Sequence, residues 1–556
     1  MGGMADEGGI AKRLRNKFKK ESAFALYTPF FVCLASGKLD SETFRHFVSQ
    51  DEHFLKAFAQ AYESAEECAD DDDDKIEIKE LRKSVKEDLK MRDSVVLEWG
   101  FELPKESAPD DATCKYTDFL LATASGKVGE KYPGKIATPF EKTKVAAYTF
   151  GAMVPFIKLY GFISDKIQAV LDPDDSSHIY KKWIDSYSSK KFEASALRTE
   201  DMLDKLSISL TGEELEVIGN LYHQAMKLEV DFFSAQPISQ QTVVPLSRVY
   251  DPAEHCLTIF CDFDLSCTAT DTSALLAEIA IITVPKADLD GSKTQLVRMS
   301  SSELRSAWVG LSSQYTEEYE QCIESITPSE TVEFNYEVLC NALEQFSDFE
   351  KRANSRVIQS GLLKGINLED IKWAGQRLNL QDGCKWFFQK IVQNGNLETD
   401  VHVLSHCWCG DLIRSAFSSG DTNVQNVHSN ELAYEESIST GDIIRKVESP
   451  MEKLQAFNDI LKGSSNDSKH LTVYIGGSVG DLLCLLKADI GIVISPSLSL
   501  RKLGDQFGIS FVPLFSGVVN KQRELVEDGS YNWKGLSGIL YTVSSWAEIH
   551  AFILGS

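Results

Sequence analysis

The sequence predicts two domains, an all-α bundle followed by a doubly wound α/β domain that carries an inserted helical cap. Three observations predict it. The chain has 556 residues, more than one ordinary core accommodates. Residues 10–234 keep a 3.6-residue apolar period, helix after helix. Beyond residue 256, apolar runs of strand length alternate with helical stretches, the grammar of a parallel sheet covered on both faces.

Taken in order, Ser41–Cys68 sets Phe44, Phe47, Val48, Phe54, Leu55, Phe58 and Tyr62 on one helical stripe. Residues 70–74 are five aspartates, and like charges packed so closely predict a solvated loop. Thr211 and Glu214 form a capping box that opens a helix running to about Phe233. Residues 235–256 lose the period, gain Gln, Ser and Pro, and read as a linker. The second domain then spans residues 257–555. Its first strand, residues 257–261, is apolar on both faces, as are residues 401–404, 471–475 and 490–494. Residues 481–487 and 546–554 read as helices among them. The mostly helical stretch at about 275–395 is the expected cap.

Charge and cysteine usage narrow the function. A formal net charge of −26 and a pI of about 4.9 disfavour nucleic acid and anionic lipid as partners. The twelve cysteines contain no CxxC pair; Cys407 and Cys409 come nearest and find no second pair to complete a zinc site. Reduced thiols follow. No run of eighteen apolar residues predicts a membrane span, and the first residues lack an apolar signal core, so the cytosol is expected.

The sharpest local signal is Asp262 and Asp264, two residues apart directly after the first buried strand. Such a pair suits one phosphoryl group and one magnesium ion, which needs few protein ligands. Asp262 is the candidate nucleophile, forming an aspartyl-phosphate, and Asp264 the acid/base. Ser405 ends the second strand, where its hydroxyl reaches a phosphoryl oxygen. Lys453 begins a helix after Ser449-Pro450 and can neutralise phosphate and nucleophile. Asp481 follows a Gly-rich loop, residues 476–480, and completes a metal set of Asp262, Asp264 and Asp481. In this order the residues resemble the haloacid dehalogenase superfamily across about residues 257–555. One position departs: the family loop usually carries an acid where this chain has Gly477.

In the helical half, Asp51 and Glu229 lie on apolar helix faces. A buried carboxylate is costly unless paired or used. Either acid alone reads as a buried salt bridge; two on separate helices of one bundle predict a polar pocket. Pro29-Phe30-Phe31, Gln50-Asp51, Tyr116-Thr117-Asp118-Phe119, Trp183, Tyr187 and Leu228-Glu229 resemble the TenA family of thiamin-salvage proteins, a TenA/haem-oxygenase-like bundle. The resemblance implies that Asp51 binds a pyrimidine amine, that Tyr116 and Tyr187 line the pocket, and that Glu229 is the acid/base of an aminopyrimidine aminohydrolase. The family's nucleophilic cysteine commonly follows a proline; here Phe156 follows Pro155. The order of the two halves is similar to a plant family of bifunctional thiamin proteins. It implies hydrolysis of thiamin monophosphate, self-association through the helical half, and a mitochondrial location for forms with a presequence. Two alternatives stand beside a bifunctional enzyme: a phosphatase with a non-catalytic pyrimidine-binding module, and a scaffold with both sites degraded.

Overall fold

Residues 8–102, 107–128, 139–172, 177–249, 255–283, 299–394, 399–418, 424, 426–463 and 469–556 are described by a computed structural model. They fall into two units. One comprises Met1–Val249 with Val518–Tyr531 and His550–Ser556; the other comprises Tyr250–Gly517 with Asn532–Ile549.

The first unit is helical because its stripes and caps agree. Asp40 and Asp110 accept the Thr43 and Thr113 N–H groups, opening the helices Ser41–Cys68 and Asp111–Ala124. Thr211 and Glu214 exchange both bonds of the capping box ahead of Gly212–Ser234. The helix Pro139–Gln168 is long and apolar enough over Glu141–Gln168 to cross a membrane. Yet 83% of its apolar window is buried inside the protein, so it reads as a core helix. The aspartate run differs from expectation: Asp72, Asp73 and Asp74 form the first turn of Asp72–Glu98. Carboxylates there meet the positive end of the helix, which offsets their mutual repulsion. The expected linker differs too. Val243, Val244 and Leu246 are fully buried, so the segment packs against the unit; its residues 250–254 lie outside the described residues.

The second unit is built on nine strands among the described residues: β1 (His255–Cys261), β2 (Thr399–Leu404), β3 (Asn426–His428), β4 (Glu431–Glu435), β5 (Ile438–Ile444), β6 (Lys469–Gly476), β7 (Ile490–Ile494), β8 (Ser510–Pro513) and β9 (Ile539–Val543). Seven form a parallel sheet in the order β3-β2-β1-β6-β7-β9-β8, while β4 and β5 pair as an antiparallel hairpin. The chain leaves β1 toward one edge and returns to β6 on its other side. Between the carboxyl ends of β1 and β6 it therefore leaves a topological switch point, where open α/β sheets bind ligands. Among the described residues, five helices lie between β1 and β2: Thr272–Ile282, Ser301–Ile326, Tyr336–Ser360, Leu368–Gln376 and Cys384–Gln393.

Candidate active sites

At the switch point the β1 and β6 strands are locked together, the Asp262 N–H donating to the Ile475 carbonyl at 2.9 Å. Asp262 is buried, and its Oδ1 meets Lys453 Nζ at 3.0 Å. The same ammonium, wholly buried at the start of the helix Pro450–Gly463, lies 2.6 Å from Asp481 Oδ1. Asp481 is saturated by donors. Tyr474 OH gives to Oδ1 at 2.8 Å, while the Gly477 N–H, Ser478 N–H and Ser478 hydroxyl give to Oδ2 at 3.0, 2.9 and 2.7 Å. Burial alone would raise its pKa, but Lys453 and the Ser478 donors hold it below the usual carboxylate range. Burial would likewise depress Lys453, and Asp262 with Asp481 hold it above the ordinary lysine value.

The other acids behave oppositely. Burial and the like charge of Asp481 push Asp262 up, against the pull of Lys453. Burial with Asp271 and Asp262 pushes Asp264 up, although the Thr272 N–H donates to its Oδ1 at 2.7 Å. The loop between them and the next helix turns at Leu265, whose φ of 57° is left-handed. Ser405, fully buried at the end of β2, accepts the Cys407 N–H at 3.2 Å.

The expected metal set of Asp262, Asp264 and Asp481 meets competing hydrogen-bond donors in this structure. Among the described residues no three His, Cys, Asp or Glu side chains converge as a metal would require. Both oxygens of Asp481 are engaged by donors from Lys453, Tyr474, Gly477 and Ser478. Asp262 and Asp264, two carboxyls beside one another at the carboxyl end of β1, are a donor set that fits a magnesium ion otherwise held by water and phosphate oxygens. Gly477 is equally constrained. A Cβ there would stand 2.4 Å from the Ile494 carbonyl oxygen, so this loop has no room for the acid the family pattern expects.

In the first unit the structure supplies partners the sequence did not. Arg92 donates to Asp51 Oδ2 at 3.0 Å and to the Val48 carbonyl, pairing one side of a buried acid. Asp51 Oδ1 accepts no hydrogen bond of ordinary geometry among the described residues. Burial raises Asp51, with Arg92 opposing. Tyr116 OH donates to Glu229 Oε1 at 2.7 Å, and burial lifts Glu229 to about 8 despite that bond. Tyr160 packs against Phe156 and Tyr187 in tilted contacts, with ring centroids 4.5 and 4.9 Å away, and feels the charge of both acids. Phe156, Tyr187 and Arg92 also line a cavity of about 330 Å³. Sequence reasoning does not single out Tyr474, Arg92 or Tyr160. Tyr474 looks like strand filling and Arg92 like one more charge on a charged helix; only Tyr160, five residues after Pro155, stands inside a segment that carries the family resemblance.

Comparison with known proteins gives these shapes a context. The family model described as TENA/THI-4/PQQC matches residues 18–129 and 140–237. The Arabidopsis thaliana protein named Bifunctional TH2 protein, mitochondrial is 60% identical over 555 residues, covering 99% of this chain and 90% of that protein. An uncharacterized Haemophilus influenzae protein is 25% identical over 214 residues, 37% of this chain and 87% of its own. Among solved structures, a TenA homologue from P. horikoshii covers 41% of this chain and 97% of its own, at 22% identity and a TM-score of 0.33. A phosphoserine phosphatase holding a phospho-aspartyl intermediate analogue covers 44% of this chain and 89% of its own, at 20% identity and a TM-score of 0.27.

Proposed function

Because the chain belongs to the family of the Arabidopsis bifunctional TH2 protein and carries a TenA-family domain, we propose that it joins a thiamin monophosphate phosphatase of haloacid dehalogenase type to an aminopyrimidine aminohydrolase. One observation carries the phosphatase reading. At the switch point of the sheet, a wholly buried Lys453 ammonium bridges Asp262 and Asp481, beside Asp264 on the following loop.

In this reading Asp262 attacks phosphorus, the bond from phosphorus to the ester oxygen breaks, and Asp264 gives its proton to the departing alcohol. Its place on the loop directly after β1, with its Oδ1 held by the Thr272 N–H at 2.7 Å, supports that role. Water then attacks the aspartyl-phosphate, returning a proton to Asp264 and freeing phosphate and Asp262. Lys453 offsets the negative charge that gathers on nucleophile and phosphoryl oxygens, with Ser405 donating from the end of β2. Asp262 and Asp264 would hold magnesium, which when bound polarises the phosphoryl oxygens. Asp481 positions Lys453 rather than joining the metal.

In the first unit Glu229 would exchange protons at the scissile amine while Asp51 and the tyrosines hold the pyrimidine. The Tyr116–Glu229 bond supports this; Phe156 in the usual cysteine position favours carboxylate chemistry or, as the second reading, binding without turnover. Of the two locations the sequence allowed, the relative's printed name favours the mitochondrion over the cytosol.

The first test is phosphate release from thiamin monophosphate with and without magnesium, beside Asp262→Asn. Metal-dependent release that the variant loses is the expected result. Equal release by the variant would remove Asp262 as nucleophile, and no release at all would leave the scaffold reading.

A further inference from the structure

A cavity of about 450 Å³ in the second unit is lined by Asp262 and Asp264 and also by the helices Ser301–Ile326 and Tyr336–Ser360. What those helices bring is aromatic: Trp308, Tyr315, Tyr319 and Phe346. Trp408 joins them from the loop after β2, its indole fixed by a 2.9 Å bond to Asn354. Among these rings stands the carboxylate of Glu350, which accepts the Tyr315 hydroxyl at 2.7 Å.

Among the described residues no cation pairs with Glu350. The charge that bears on it is Asp271, of the same sign, and burial with that repulsion lifts its pKa to about 7. Arg356, a cation in the lining, is committed to Glu318 at 2.8 Å. A carboxylate with no cation of its own, inside aromatic walls, is built for a positively charged, flat guest, because ring faces and the carboxylate both attract it. The phosphoryl-handling acids open onto the same cavity, so the guest must be the alcohol portion of the phosphate ester.

We propose that Glu350, oriented by Tyr315 and set among these rings, binds the cationic heteroaromatic ring of the leaving alcohol and so selects cationic phosphate esters over neutral ones. This rests on the phosphatase reading and adds the residue that chooses the substrate. Glu350 touches the part of the substrate that does not react, so it should act on KM and leave kcat alone.

The test compares the full-length protein with Glu350→Gln, using thiamin monophosphate as the cationic ester and 4-nitrophenyl phosphate as the neutral one. Thiamin binding is measured by calorimetry on both proteins. Loss of the charge should raise KM for the cationic ester about tenfold, with kcat nearly unchanged, and weaken one thiamin site about tenfold, the worth of one charge-assisted contact. Turnover of 4-nitrophenyl phosphate should stay the same, which also reports an intact fold. Equal losses on both esters would make Glu350 a structural residue and overturn the proposal. Thiamin binding to the variant as to the parent overturns it as well. If the parent releases phosphate from neither ester, the phosphatase reading falls by itself, and the binding comparison still decides Glu350.

Discussion

At the scale of single residues, the Lys453 ammonium is the most consequential group in the second unit. Its single charge holds Asp481 ionised and opposes the rise that burial imposes on Asp262. Replacing it by Met should cost about 3–5 kcal/mol, because removing one partner leaves the other charges buried and unpaired. Urea denaturation of Lys453→Met would measure that, and an unchanged midpoint would contradict it. Gly477→Asp offers a second check. It would install the acid the family pattern expects, yet its Cβ would meet the Ile494 carbonyl at 2.4 Å. The substitution should destabilise by about 1–3 kcal/mol, as overpacking does, and lower rather than raise phosphate release. Thermal melts beside the phosphatase assay would show both. The meeting of Asp262, Lys453 and Asp481 was legible in the sequence because each stands near a recognisable strand end or helix start. Tyr474 and Arg92 were not, since which face of a strand or helix meets a buried acid depends on packing between segments distant in sequence.

At the scale of elements, legibility tracked burial. The runs in β1, β2, β6 and β7 announced themselves by being apolar on both faces. The edge strand β8 has no fully buried residue, and β3 is only three residues long, so neither leaves a periodic signal. The β4–β5 hairpin turns at Glu436 and Ser437, whose φ values of 47° and 73° belong to a turn usually written with Asn and Gly. Without those residues the turn was silent. Element packing also sets a titration. The helices Asp111–Ala124 and Gly212–Ser234 meet at the Tyr116–Glu229 bond, which lowers a carboxyl that burial has raised to about 8. If Glu229 must be ionised to act as base, aminohydrolase turnover should rise with pH through about 8. Tyr116→Phe removes the lowering bond, so that limb should move to higher pH. A pH–rate profile of both proteins checks the direction; a shift toward acid would contradict it.

At the scale of the molecule, length and composition foretold two units but not where the chain would be divided between them. The first unit takes back Val518–Tyr531 and His550–Ser556, and no local pattern in those stretches announces it. Within that unit Gln522 accepts the Val243 N–H at 2.9 Å and donates to the Gln241 carbonyl at 3.0 Å, while Arg523 donates to the Ser36 carbonyl at 3.3 Å. A chain ending at Val249 should therefore melt below the helical unit of the intact protein, each lost bond costing about 1 kcal/mol. Calorimetry on both would show it, and an equal midpoint would refute it. The same arrangement governs how the protein can be made. Synthesis runs from the amino end, and domains ordinarily fold as they emerge from the ribosome. Here the helical stretch that emerges first is joined by residues 518–531 and 550–556 only after most of the second unit has been made. The Val243 N–H and Ser36 carbonyl that Gln522 and Arg523 satisfy therefore wait for their partners until most of the second unit has been synthesised.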